Sequence, residues 1–463
     1  MGDGGSLKKS EDGYFYEQED GTVYEFDCDG RLCTQRDING NLRIFTYNEA
    51  GFLESVGNGT GGQLKYTYNK EKNLIYVEDH TGRKVSLRYQ YGKLRWFINS
   101  SGCTYTYDYN ENGRLNEVVT PRNIAGVKNE YDGADRVVKQ TLPDGGVVEL
   151  RYDDKNNRTY MKEQNGNLII YESDKKLRNI RTIYKDGEET FEYNDRNQLI
   201  RRVDKNGNMI KSSYDDKGNL SQIIYPDGCK YNMTYDANNR LLILSVNGVK
   251  KIKRTYDSKG NLLHTEDALG RGQEFIYDTQ GRVKEIVQTD KSHIYIEYDE
   301  YSNISKIIDG SKNTISYDYD ALNRVVKIVD GNGNRTNYEY DTGDRITGII
   351  NAQGKRRSYE YTKSGKVTKV IDFNGAVTCL EYNNMNQVSS VVTPDGGKEI
   401  LEYDQMQNVA KRITPTGAAY LYKYNSLNRL EKLTLPTGGS IYYEYDANGN
   451  QTACNYSKRF QLK

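Results

Sequence analysis

The stretch Tyr256-Asp257-Ser258-Lys259-Gly260-Asn261-Leu262 decides the fold, because its pattern returns every 21 residues along the chain. Self-similarity at a fixed period of this length is the signature of a tandem repeat. A tyrosine, which we call the anchor, opens each copy of the pattern. The regular anchors are Tyr193, Tyr214, Tyr235, Tyr256, Tyr277, Tyr298, Tyr319, Tyr340, Tyr361, Tyr382, Tyr403, Tyr424 and Tyr445.

The pattern continues upstream with spacings that drift between 19 and 22 residues. Its anchors there are Phe26, Tyr47, Tyr68, Tyr89, Tyr109, Tyr131, Tyr152 and Tyr171. The chain therefore holds 21 units, and twenty of the 21 anchors are tyrosine.

A tight turn follows each anchor. The next residue is Asp or Asn in 18 of 21 units, and such a side chain closes an Asx-turn. Four residues after the anchor, Gly stands in eight units and Asn in six, as in Asn156, and both residue types tolerate positive φ. The turn glycines that we expect in this conformation include Gly218, Gly260, Gly281, Gly365 and Gly449.

A second turn precedes each anchor. Gly stands seven residues before the anchor in 14 of 21 units, and all six prolines lie nine or ten residues before one, as in Pro226-Asp227-Gly228. Proline cannot donate to a sheet and presets φ for a turn. Two turns per unit leave two short strands, so we predict about 42 strands and no helix.

The strand that enters the anchor alternates in polarity. Tyr338-Glu339-Tyr340 and Ile296-Glu297-Tyr298 place aromatic or aliphatic groups on one face and Glu on the other. At about 4.8 Å per strand the ribbon would be roughly 200 Å long. A flat ribbon would expose its aromatic face, and strand twist curls it. We therefore predict an all-β fold of tandem hairpins, coiled into a spiral shell or tube, with a parallel β-helix as the alternative.

Composition excludes several classes of function. Lys+Arg and Asp+Glu are equal at 65 each, which argues against nucleic-acid binding, and no apolar run is long enough to span a membrane as a helix. Six scattered Cys and three His form no zinc motif, and no nucleophile motif is present. We predict no catalytic, metal or cofactor site. The tyrosine rows leave carbohydrate stacking open as an alternative to a self-packed core.

The consensus Y-D-x-x-G-R-L, followed by a Pro-Asp-Gly type of turn, resembles the YD repeat of the RHS and teneurin families. Phe26-Asp27-Cys28-Asp29-Gly30-Arg31-Leu32 and Tyr277-Asp278-Thr279-Gln280-Gly281-Arg282-Val283 carry the resemblance, which extends from Gly13 to Asn450. It implies a hollow β-shell of the kind found in insecticidal toxin complexes. In bacterial members that shell encloses a toxic polypeptide, and in teneurins a related shell supports adhesion.

From this resemblance we expect a non-enzymatic shell segment of a toxin-encapsulating or polymorphic-toxin scaffold; the alternative is an extracellular adhesion or carbohydrate-binding scaffold. The expected partners are an enclosed toxin polypeptide or neighbouring shell segments. The location would be the exterior or surface of a bacterium, as part of a larger protein, or the cytoplasm before export. The D-P-x-G-L segment of cargo-releasing members is not found after Tyr445.

We also predict three segments along the chain. Residues 1–12 form a lead-in or an added expression segment, 13–450 the continuous repeat array, and 451–463 a tail. Because anchor spacing is irregular only before Tyr193, we expect bulges and unusual turns to concentrate between residues 89 and 193 and the later repeats to be uniform.

Overall fold

The protein is a ribbon of β-hairpins. A computed structural model describes residues 5–18 and 20–457, and among them it contains 44 strands and no helix. All 44 strands are assigned to one antiparallel sheet. The predicted all-β fold of tandem hairpins is confirmed.

The strands, numbered along the chain, have these bounds: β1 Ser6–Ser10, β2 Gly13–Glu17, β3 Val23–Phe26, β4 Leu32–Arg36, β5 Leu42–Tyr47, β6 Leu53–Gly57, β7 Gln63–Tyr68, β8 Leu74–Asp79, β9 Lys84–Gln90, β10 Lys93–Ile98, β11 Thr104–Tyr109, β12 Leu115–Val119, β13 Ala125–Tyr131, β14 Val137–Thr141, β15 Val147–Asp153, β16 Arg158–Lys162, β17 Leu168–Ser173, β18 Asn179–Tyr184, β19 Gly187–Tyr193, β20 Leu199–Val203, β21 Met209–Tyr214, β22 Leu220–Ile224, β23 Lys230–Tyr235, β24 Leu241–Val246, β25 Val249–Tyr256, β26 Leu262–Asp267, β27 Gly272–Tyr277, β28 Val283–Val287, β29 His293–Tyr298, β30 Ile304–Ile308, β31 Thr314–Tyr319, β32 Val325–Val329, β33 Arg335–Tyr340, β34 Ile346–Ile350, β35 Arg356–Tyr361, β36 Val367–Ile371, β37 Val377–Tyr382, β38 Val388–Val392, β39 Lys398–Tyr403, β40 Val409–Ile413, β41 Ala419–Tyr424, β42 Leu430–Thr434, β43 Ser440–Tyr445 and β44 Gln451–Ser457.

The hairpin formed by β27 and β28 shows the unit. Phe275 pairs with Ile286, whereas Tyr277 pairs with Val283 after a register shift at the anchor. That shift comes from the turn, in which the residue with positive φ adds one position to the second strand, as in a G1 bulge. The same shift occurs at most anchors along the ribbon, including those after Tyr193. The expectation that bulges concentrate between residues 89 and 193 is therefore wrong.

The end segments also contribute strands. β1 lies within residues 1–12 and pairs with β2, and β44 lies within residues 451–463 and pairs with β43. The 21 predicted units account for β3 to β44, which are the 42 expected strands, and β1 and β2 form one additional hairpin before the first anchor. The three-segment division itself stays a prediction.

The chain divides into two compact units. Unit 1 comprises Met1–Thr104 and Asn232–Arg357, and unit 2 comprises Tyr105–Tyr231 and Ser358–Lys463. Each unit thus combines an earlier and a later run of hairpins, which we call its first and second segments. Because the segments of one unit meet after a long excursion of the chain, the ribbon in each unit returns to its own earlier edge, as coiling predicts.

The ribbon is a single layer, and burial reflects this. Among the described residues Ile169 is the one hydrophobic residue classed as buried, and no side chain is fully buried. All thirteen regular anchors are half-buried, while each residue directly before them is exposed. The predicted alternation is confirmed, but the tyrosines line a face rather than fill a closed core.

Candidate functional site: two faces and a seam

The anchor face is the side of the sheet that carries the anchor rings. On β33 it presents Tyr338 and Tyr340, which pair with Ile349 and Ile346 of β34. This grouping of rings with branched aliphatic side chains recurs because both types fit a pleated surface. The face is therefore apolar in its side chains yet only half-buried, and it continues from repeat to repeat.

Most anchor hydroxyls donate a hydrogen bond to a backbone carbonyl of the preceding repeat. The hydroxyl of Tyr298 donates to the carbonyl of Val283 at 2.8 Å, and that of Tyr340 donates to Val325 at the same distance. A buried or half-buried phenol needs such a partner. The same bond to a carbonyl 14 to 16 residues earlier occurs at Tyr47, Tyr131, Tyr152, Tyr193, Tyr214, Tyr256, Tyr277, Tyr319, Tyr382, Tyr403, Tyr424 and Tyr445.

The turn after the anchor, which defines the anchor edge of the ribbon, is closed by its aspartate. Oδ1 of Asp278 accepts from the backbone N–H groups of Gln280 and Arg282, both at 2.9 Å. Oδ2 accepts from Nε of Arg282 at 2.7 Å. Burial would raise the pKa of Asp278, but these hydrogen bonds outweigh it and lower the pKa. The carboxylate is thus fully used by the turn.

Positive φ at the fourth residue after the anchor belongs to the turn rather than to the residue type. Gly218, Gly260, Gly281, Gly365 and Gly449 have φ between 77° and 97°. The same position is also left-handed where it is occupied by Lys72, Asp135, Ser302, Asp344 and Gln407. In the Tyr152 unit the left-handed residue is Asn157 and not the expected Asn156, because that turn is one residue longer.

The consensus includes an arginine after the turn, but sequence reasoning missed what this arginine contacts. The guanidinium of Arg282 lies 4.3 Å from the ring centre of Tyr298, the next anchor, and Arg324 lies 4.6 Å from Tyr340. Arg324 also donates to the backbone carbonyl of Asp341 at 3.1 Å. Since a cation over a ring is attracted to its face, this side chain joins consecutive repeats. Its recurrence five residues after the anchor was the available signal.

The second surface is the charged face. Glu297 pairs directly with Lys306 across β29 and β30, with 3.0 Å between the charged atoms. Other acidic and lysine side chains that are also nine residues apart in the chain form the same kind of cross-strand ion pair: Glu130–Lys139, Asp318–Lys327, Glu360–Lys369 and Glu402–Lys411. The two charges of each half-exposed pair cancel, so the charged face carries many charged side chains but little net charge.

The third feature is the seam, where the two segments of a unit touch through their turns. In unit 1, Nε2 of His80 lies 2.7 Å from the carbonyl oxygen of Ala321, and Ser100 Oγ donates to the carbonyl of Thr342 at 3.0 Å. Arg83 forms a 2.6 Å ion pair with Asp344. The partners are 241 to 261 residues apart, which is about twelve repeats.

Unit 2 has a seam of the same kind. Arg429 of its second segment bonds Asp186 of its first segment at 2.8 Å, and Lys205 lies 3.3 Å from the same carboxylate. These three side chains are only 13% to 17% exposed. Asn448 donates to Asp204 at 2.8 Å, and Asn206 donates to Asp446 at 2.9 Å. The turns before the anchors form the other edge of the ribbon, which we call the opposite edge. In both units the seam joins the opposite edge of the first segment to the anchor edge of the second segment.

No group of three or more His, Cys, Asp or Glu residues in the described part of the chain could hold a metal ion. Within residues 5–18 and 20–457, no helix could cross a membrane. The six cysteines, which lie in this same part, are unpaired with one another. That the chain lacks catalysis and cofactors stays a prediction.

A single layer of hairpins with repeated anchors, whose edges meet at a seam between turns about twelve repeats apart in the chain, defines a β-shell scaffold protein. The family model for the teneurin YD-shell matches residues 168–246 and 242–461, which is more than half of the chain. This chain belongs to the teneurin YD-shell family, and the resemblance stated from its motifs is confirmed. Among curated proteins, none matches the sequence significantly.

Several solved structures have the same fold. The crystal structure of TcdB2-TccC3 without hypervariable C-terminal region matches with a TM-score of 0.60 at 12% identity, over 99% of this chain and 30% of that one. The TcdB2-TccC3-Cdc42 structure has a TM-score of 0.56 at 11% identity, over 98% and 31%. A Photorhabdus luminescens Tc holotoxin pore has a TM-score of 0.52 at 14% identity, over 98% and 26%. The chain therefore spans less than a third of the length of these structures.

Proposed function

We propose that this structural shell segment forms the wall of a container for an unfolded toxin polypeptide, within a larger exported bacterial protein. The observation that carries the proposal is the anchor face. It repeats tyrosine and branched aliphatic side chains along the ribbon while leaving them half-buried. Such a face can hold a polypeptide through apolar contacts without selecting one sequence.

The solved structures support this choice. They have the same fold, and they include a complex without its hypervariable C-terminal region and a holotoxin pore. A wall that holds many different polypeptides should depend on a repeated surface rather than on one pocket, and this ribbon offers such a surface. Neighbouring shell segments would complete the wall.

Carbohydrate binding on an adhesion scaffold remains the second candidate. Sugar stacking needs an open aromatic face. Several anchor rings already lie against an arginine, such as Arg136 at 4.3 Å from Tyr152, and their hydroxyls are bonded to backbone carbonyls. The anchor rings are thus less suited to sugars than to a polypeptide that packs on the adjoining aliphatic rows.

A protection experiment tests the proposal. A permanently unfolded reporter polypeptide would be fused after Lys463 and digested with a protease. We expect the reporter to survive longer than the same reporter alone, and to lose protection when Tyr338→Glu and Tyr359→Glu place charges on the anchor face. Glu339→Gln and Glu360→Gln on the charged face are the matched controls. Equal rates of digestion of the fused and the free reporter would contradict enclosure. Binding of the chain to sugars on a glycan array would favour the second candidate.

A further inference from the structure

Each unit has two edges beyond its seam that are built like the seam. The seam uses the opposite edge of the first segment and the anchor edge of the second segment. The anchor edge of the first segment and the opposite edge of the second segment carry the same Asx-closed turns, for example at Asp27 and Asp267. One copy of the chain therefore carries both halves of a further seam.

Two turns of nearly identical sequence, one inside the seam and one outside it, show how the seam changes the solvent exposure of a turn. Asp320-Ala321-Leu322-Asn323-Arg324 lies on the anchor edge of the second segment of unit 1, in the seam. Asp267-Ala268-Leu269-Gly270-Arg271 lies on the opposite edge of that segment. In each turn the arginine Nε donates to the aspartate at 2.8 Å, so the local geometry is the same.

Their leucines differ in environment. Leu322 is half-buried and lines a groove with His80 and Arg83 of the first segment. Leu269 is 76% exposed. The apolar side chain that the seam covers in one turn is thus presented to solvent in the other.

The anchor edge of the first segment presents apolar tips as well. Tyr91, at the turn between β9 and β10 in unit 1, is 93% exposed. In unit 2, Leu177 is 80% exposed and has a φ of 60°, a strained conformation for leucine. These residues are among the most exposed large hydrophobic groups of the described chain, and they lie at turn tips rather than on strands.

We propose that a second copy of this chain docks on this edge, so that the anchor edge of one copy's first segment meets the opposite edge of another copy's second segment. The contact repeats the seam between copies, with Tyr91 on one side and Leu269 on the other. It is heterologous, because the two copies use different surfaces, and such a contact leaves an unused edge at each end of a stack.

Sedimentation velocity over a concentration series tests this docking. The wild-type chain should show larger species as its concentration rises. Leu269→Glu blocks the opposite edge and Tyr91→Glu blocks the anchor edge, so each variant alone should sediment as a monomer. An equimolar mixture of the two should form a one-to-one dimer, because each variant retains the edge that the other has lost.

Ile276→Lys is the matched control. Ile276 is 39% exposed on the charged face and lies opposite Glu285 across β27 and β28, so a lysine there forms an opposite-charge pair away from both edges, and this variant should associate like the wild type. Circular dichroism would verify that all variants keep the β-fold. A wild-type chain that stays monomeric, a mixture that forms no dimer, or a control that also dissociates would each overturn the proposal.

Discussion

At the scale of single residues, the left-handed position of the anchor turn can be tested at Gly30. Its φ is 79°, and a Cβ there would meet no atom within 4 Å, so a substitution reports backbone strain alone. Gly30→Val should reduce local stability by about 1–3 kcal/mol, whereas Gly30→Asn should cost much less. Hydrogen exchange of the turn amides measures this. Equal effects of the two variants would show that conformation is not the cause. Gly281 is less suitable, because a Cβ there would also collide with Asn39.

The anchor hydroxyl bond is a second residue-scale test. Tyr298→Phe removes the 2.8 Å bond to Val283 and leaves that carbonyl without its donor, so the local free energy of unfolding should fall by about 1 kcal/mol. Tyr295→Phe on the charged face is the control, since Tyr295 is exposed. If both variants exchange amides at the same rate, the anchor hydroxyl has no stabilising role.

Acid should weaken the turns in a defined pH range. Burial would raise the pKa of Asp79, but hydrogen bonds from Thr81 and Arg83 outweigh it and lower the pKa to about 2. A carboxyl group with a lowered folded-state pKa stabilises the protein above its unfolded-state pKa of about 4, and this contribution is lost as the pH falls toward the folded value. Thermal unfolding should therefore be steady above about pH 5 and drop between about pH 4 and 2. In Asp79→Asn this drop should be smaller, and an unchanged profile would contradict the assignment.

Residue types alone could not have predicted the whole turn. Gly and Asn at the fourth position indicated positive φ, but Lys72 and Gln407 adopt it because the flanking Asx-turn and strand pairing impose it. The arginine contacts were missed for a related reason. A long side chain reaches the next repeat, and its partner is therefore not visible in the spacing within one unit.

At the scale of elements, the cross-strand charge ladder can be tested by a charge exchange. Glu297→Lys places two like charges opposite each other and should cost about 0.5 kcal/mol, because the pair is half-exposed and solvent screens it. Adding Lys306→Glu should restore stability. The thermal midpoints of the wild type, the two single variants and the double variant form a double-mutant cycle, which is measured at low and at high salt. A double variant as weak as the single one would argue that the pair does not interact.

The hairpin order was predictable from periodicity, but local irregularity was not. The turn at Tyr91 and Gly92 is shortened, and the anchor spacing after Tyr89 is 20 residues instead of 21. Asn247 and Gly248 form an equally short turn within the region that we expected to be uniform. Anchor spacing there stays at 21 because β24 and β25 are longer, and their extra residues replace those lost from the turn. Asn-Gly is a strong signal for a two-residue hairpin turn and was the better guide.

At the scale of the whole molecule, coiling followed from strand twist, but the partners across each seam did not. The repeats are so alike that no residue pattern distinguishes the turn that meets Ser100 from its neighbours. The pairing depends on small rotations summed over about twelve hairpins, and strand twist varies from hairpin to hairpin. Residues such as Arg122 and Arg429 therefore acquire their seam partners only in three dimensions.

The return of the ribbon to its own edge after about twelve repeats is most directly measured by cross-linking. With the six native cysteines replaced by serine, Ser100→Cys and Thr342→Cys would be combined and treated with a short thiol cross-linker. We expect efficient intramolecular linkage that disappears in denaturant, because the Ser100 hydroxyl lies 3.0 Å from the Thr342 carbonyl oxygen. Ser100→Cys with Ser258→Cys, four repeats from Thr342 on the same edge, should link poorly. Equal yields from the two pairs would contradict the account.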